Sequence, residues 1–140
     1  MARIKIDFPS QFDFSTELTL RISDINYGGH LGNDATLSLI HEARLRFLKH
    51  YGYDEYNLAG VSFIMVDCAV VYKSEGFHGD LIEIQVTAAD FTKHGFDLLY
   101  CLSNTKTEKR LAHAKTGMVC FDYTEKKIRP VPIAFKTRFT

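Results

Sequence analysis

The chain has 140 residues, 46% of them hydrophobic and 24% charged, with 17 basic and 17 acidic side chains. That length suits one domain over residues 1–140, with enough apolar content for a core that needs no disulfide or metal. The balanced charge, with no long run of either sign, argues against a nucleic-acid binder, although a small basic patch for one phosphorylated ligand stays open.

The N-terminus carries charges where a signal peptide would be apolar, and no stretch approaches the roughly 18 apolar residues of a membrane span. The chain therefore reads as cytoplasmic. Glu17 to Ser23 alternates apolar and polar residues, the pattern of a half-buried strand. The glycine-rich stretch from Asn26 to Gly32 reads as a turn. Asn33 or Asp34 then supplies a helix N-cap and Gly52 the stop, with Leu37, Ile40, Phe47, Leu48 and Tyr51 on one apolar stripe.

Everything after Gly60 reads as strand. Val61 to Tyr72 is a long β-branched run, and Ile82, Ile84 and Val86 alternate with polar residues. Phe96 to Leu102 and Leu111 to Tyr123 follow, joined by polar turns at Lys93–Gly95 and Asn104–Lys109. Pro130 and Pro132 are expected to end the regular structure. Cys68, Cys101 and Cys120 lie in apolar stretches and read as buried free thiols. One strand, one long helix and at least four antiparallel strands make an α+β chain. A curved sheet wrapped around the helix satisfies that order, its other face solvated or covered by a second subunit.

The densest polar cluster, Ser23 to Asp34, lies where the first strand hands over to the helix. A helix N-terminus offers unpaired N–H groups and about half a positive charge, able to polarise a carbonyl and hold an oxyanion. Asp24, Asn26, His30 and Asp34 add groups that orient water or move a proton. Each also has a structural reading: Asp34 as a helix cap, Asp24 and Asn26 as turn formers, His30 as a packed histidine. Glu42 reads as a surface partner of Arg46, and Arg44 falls inside the apolar stripe, where it needs a carboxylate or carbonyl partner. No spacing of His, Cys and Asp matches a metal site, and no dinucleotide or P-loop fingerprint is present.

The stretch Asp24-Ile-Asn-Tyr-Gly-Gly-His-Leu-Gly-Asn33, followed by His41-Glu-Ala-Arg-Leu-Arg-Phe-Leu48, resembles the acyl-CoA thioesterases of the 4-hydroxybenzoyl-CoA type. That family, within the hotdog superfamily, carries an Asp-x-Asp-x-x-Gly-His-Val-Asn-Asn stretch and then a helix with Glu-Ala-Arg. Gly79-Asp80 and Pro130-Val-Pro132 extend the resemblance over nearly the whole chain. It implies a hotdog fold of five to six strands around one helix and hydrolysis of acyl-CoA to acid and free CoA. Coenzyme A would enter only as part of the substrate, with no cofactor or metal expected, and a small sheet with one central helix leaves edges and a face to cover, which points to a homodimer or homotetramer.

By position, the carbonyl-polarising N–H belongs near Asn33, and His30 matches the motif histidine. Asn26 stands where the family has its second aspartate, and an amide cannot take a proton from water. Asn26 is then expected to position water or carbonyl, with His30 or Asp34 as base and Asp24 a further candidate. Tyr27 and Gly28 would meet the substrate, and Lys126, Lys127 and Arg129 would meet its phosphates. An acyl-thioester binder without activity, or a hydratase or dehydratase on the same fold, is the alternative.

Overall fold

A computed structural model describes residues 2–140. Strand β1 (Phe14–Thr19) leads through a 3-10 turn (Ile22–Asp24) to helix α1 (Asn33–His50). Then come β2 (Ser62–Tyr72), β3 (Leu81–Ala89), β4 (Gly95–Asn104), β5 (Arg110–Asp122), the short β6 (Lys127–Ile128) and helix α2 (Ile133–Arg138). All pairings are antiparallel, in the order β1-β3-β4-β5-β2, with β6 against β5. The six-stranded sheet curves around α1 in the hotdog arrangement.

Period-two patterning decides which side chains meet the helix. Ile82, Ile84 and Val86 of β3, Leu98, Tyr100 and Leu102 of β4, and Ala112 and Ala114 of β5 all point inward and are buried. They pack on Leu39, Ile40, Ala43, Phe47 and Leu48 of α1, each contributing about 1.5–3 kcal/mol for the larger side chains. The buried stripe starts at Thr36 rather than Leu37, which is 45% exposed. The Thr36 hydroxyl turns inward because it donates to the Gly32 carbonyl at 2.9 Å. Gly32 is the N-cap, not Asn33 or Asp34, and Asp34 sits in the first turn, where its charge complements the helix dipole. At the other end Gly52 takes φ +85°, the left-handed conformation expected of a helix stop.

Three other expectations change. The first strand begins earlier and ends at Thr19, because Asp24 draws Ile22–Asp24 into a 3-10 turn. Regular structure does not end at the prolines: Pro132 caps α2, whose Phe135 is fully buried, 4.9 Å from the Phe96 ring. Of the cysteines, Cys101 and Cys120 are buried, but Cys68 is exposed, on the edge strand β2.

The outer face of the sheet is partly covered by the chain's own N-terminal segment. Phe8 stacks on His113 of β5 with ring centroids 4.2 Å apart, and the Asp13 carboxylate accepts from the Thr87 hydroxyl on β3. Between these points the segment crosses β4, where Leu99 and Cys101 are 3% and 4% exposed, although their register sets them beside Thr87 and His113, away from the helix.

Candidate active site

The turn before α1 is held by its own backbone. Asp24 accepts the Arg21 N–H on its carboxylate at 2.8 Å and the Gly32 N–H on its carbonyl at 3.0 Å. Asn26 N–H donates to His30 O at 2.9 Å, and Leu31 N–H reaches Gly76 O at 2.7 Å, stitching the turn to the loop after β2. Asp24 is 5% exposed and its carboxylate serves the turn.

This closure aims a set of groups into one cavity of about 980 Å³. Asn26, Tyr27, Gly28, His30, Asn33 and Asp34 line one side; Tyr72, Lys73, Ser74 and Glu75 line the other. Five groups define its chemistry. Asn26 accepts the Gly28 N–H on Oδ1 at 2.9 Å, which leaves its amide N–H₂ as the available end. His30 has Nδ1 3.4 Å from Leu31 O and Nε2 4.0 Å from Glu75 Oε1. With the proton on Nδ1, Nε2 carries a lone pair on the side of Gly28 and Glu75. Gly28 separates the two: a Cβ there would lie 3.2 Å from Asn26 Oδ1 and 3.3 Å from His30 Nε2.

At the helix start, the Asp34 N–H is taken by Asn33 Oδ1 at 2.9 Å, whereas the Asn33 N–H has no acceptor among the described residues. Tyr72 donates to the Asn33 carbonyl at 2.8 Å, which fixes this first peptide of the helix. Burial, with the charges of Cys68 and Asp34 adding to it, pushes the Tyr72 hydroxyl above its ordinary pKa, so it remains a donor. The Asp34 carboxylate lies over Gly32, where a Cβ would come within 2.6 Å of Oδ1.

Tyr27 is fully exposed at the rim. The expected phosphate ligands lie elsewhere. Lys126, Lys127 and Arg129 follow the far end of β5, whereas Leu111 and Ala112 at its near end line the cavity, roughly 30 Å away along the strand. Arg129 is also bound by Asp122 and Glu125. Tyr72, Lys73 and Glu75 were not singled out by sequence reasoning. They reach the site because β2 pairs with β5, which brings the end of β2 beside the start of α1, and such a long-range pairing leaves no local signal.

On the helix, Glu42 pairs with Arg46 at 2.8 Å as expected, and Arg46 also reaches Thr16 Oγ1 and Glu17 O on β1. Arg44 is buried, 3.6 Å from Glu55 Oε2 and 3.3 Å from the Tyr100 hydroxyl. Among the described residues no cluster of His, Cys, Asp and Glu could hold a metal, and no helix is long and apolar enough to cross a membrane.

The profile of the thioesterase-like superfamily matches residues 20–139. A 1,4-dihydroxy-2-naphthoyl-CoA thioesterase from Synechocystis superimposes with a TM-score of 0.81 at 22% identity, covering 90% of this chain and 94% of that one. A thioesterase-superfamily protein from Jannaschia sp. CCS1 gives 0.83 at 18% identity over 94% and 83%. A gentisyl-coenzyme A thioesterase gives 0.76 at 15% over 88% and 99%. No curated protein matches the chain in sequence. At such identities the structural likeness is one of fold, and it is the profile over residues 20–139 that decides membership: the chain belongs to the thioesterase-like superfamily.

Proposed function

We propose that the protein hydrolyses acyl-CoA thioesters in the cavity at the start of α1. The observation that carries this is the pairing, within one cavity, of the unoccupied Asn33 N–H with the His30 imidazole. The substrate carbonyl oxygen accepts from the Asn33 N–H, where the helix dipole favours the developing negative charge. The Asn26 N–H₂ holds the attacking water. His30 Nε2 takes the water's proton as oxygen bonds to the carbonyl carbon, and Glu75, 4.0 Å away, steadies the imidazolium. Collapse of the tetrahedral intermediate breaks the C–S bond, and the thiolate leaves with the proton from His30. Asp34 is the second candidate for the base, but its carboxylate is turned back over Gly32.

The working unit is a homodimer. Strand β2 has one free edge, 11 residues long, with Met65 and Val66 exposed at 51% and 57%, a surface that a second copy of the strand would cover. Sedimentation of the wild type beside Val66→Lys tests this, the variant shifting to monomer.

The decisive experiment for activity is free-thiol release across a panel of acyl-CoA chain lengths. His30→Ala is expected to lower kcat by about 100-fold or more, and Asn26→Ala by about tenfold. Full activity in His30→Ala would move the base to Asp34. No thiol release by the wild type on any substrate would leave an acyl-thioester binder without catalysis.

A further inference from the structure

Coenzyme A carries its phosphates at the end of a long arm, so in any acyl-CoA complex they must settle outside the cavity that holds the thioester. The basic group after β5 does not border that cavity. A second cavity does. It has a volume of about 420 Å³ and lies on the outer face of the sheet between the N-terminal segment and β2 and β5. Lys73 lines both cavities, so the two lie next to each other across this residue.

The second cavity is basic by construction. Lys5 of the N-terminal segment and Lys73 both line it, as does His113. Arg110 Nη1 approaches His113 Nε2 at 3.4 Å. Asp7 is the one carboxylate in the lining. Burial, followed by the charges of Arg110 and Lys73, holds His113 below the ordinary histidine range, so two cations converge on this imidazole and it stays a neutral acceptor. A neutral His113 fixes the Arg110 guanidinium without competing for an anion. Ile4 and Phe8 add an apolar wall against which a purine can lie.

We propose that Lys5, Lys73 and Arg110 form the site that receives the phosphates of coenzyme A, with the N-terminal segment supplying one of its walls. The inference rests on the acyl-CoA reading of the neighbouring cavity. It assigns the nucleotide to the chain's own outer face rather than to Lys126 and Lys127.

The test compares wild type, Lys5→Ala/Arg110→Ala and Lys126→Ala/Lys127→Ala on one acyl group carried by coenzyme A or by N-acetylcysteamine, which lacks the nucleotide. The Lys5/Arg110 variant is expected to raise KM for the CoA ester about tenfold with kcat unchanged, and to leave the N-acetylcysteamine ester unaffected. The Lys126/Lys127 variant is expected to match wild type on both. An unchanged KM in the first variant, or a raised one in the second, overturns the assignment.

Calorimetric binding of coenzyme A, with adenosine 3′,5′-bisphosphate as competitor, keeps this separate from catalysis. Binding that weakens in Lys5→Ala/Arg110→Ala without any hydrolysis sinks the thioesterase reading and keeps the site. Binding insensitive to both residues sinks the site whatever the activity.

Discussion

The Tyr72 hydroxyl donates to the carbonyl oxygen of Asn33 at 2.8 Å, tying the last residue of β2 to the first residue of α1. The Asn33 N–H belongs to the adjoining Gly32–Asn33 peptide and has no acceptor among the described residues. A strand end thus sets the aim of a helix start. Tyr72→Phe removes this bond and little else. It is expected to cost about 1 kcal/mol in denaturant unfolding and to lower kcat several-fold with KM nearly constant.

Gly117 of β5 faces the Asp67 carboxylate at the bulge in β2, and any Cβ at Gly117 collides with it. Gly117→Ala should destabilise by no more than about 1 kcal/mol, because the exposed Asp67 side chain can turn aside at the cost of its rotamer. Asp67→Ala in the same chain should restore most of that loss, and a double-mutant cycle of urea midpoints reads the coupling.

Arg44 and Glu55 respond unequally. Glu55→Gln leaves the buried guanidinium without its carboxylate and should cost about 3 kcal/mol. Arg44→Met is expected to stay within about 1 kcal/mol of wild type, because Tyr100 keeps its 2.8 Å hydrogen bond to Thr116 and Glu55 keeps His41 at 2.7 Å. Thermal unfolding of the two variants side by side measures the asymmetry.

The thiols should separate cleanly. Burial pushes the Cys120 pKa up to about 11, so at pH 8 almost none of it is thiolate, and the fold also shields it from reagent. Cys68 is exposed, though burial of its thiol raises its pKa too, with Arg44 opposing the shift. Alkylation of the native protein should therefore stop after Cys68, at a rate that rises with pH. Cys101 and Cys120 react only after denaturation, and mass spectrometry counts the adducts.

Local patterning carried much of the architecture. The alternation of Ile82, Ile84 and Val86 and the turn at Asn104, whose Oδ1 accepts the Lys106 and Thr107 N–H groups, were legible because strand and turn chemistry act between near neighbours. The cavity was half legible. His30, Asn26 and Asn33 come from one continuous stretch, while Tyr72, Lys73 and Glu75 arrive by a sheet pairing that no short window contains. Cys68 failed for the opposite reason: its apolar neighbours read as buried, yet strand order placed it on an edge. The short helix after Pro132 was missed because proline signals a stop and a helix start alike.

The N-terminal segment has a consequence for the order of assembly. Its seat is built from Val71 on β2, Thr87 on β3 and His113 on β5, all far downstream in the chain. The segment from Ile4 to Asp13 therefore has nowhere to dock until His113 has been made and three strands have paired. Leu99 and Cys101 stay open to solvent through that interval, and capture of the segment is the step that closes them.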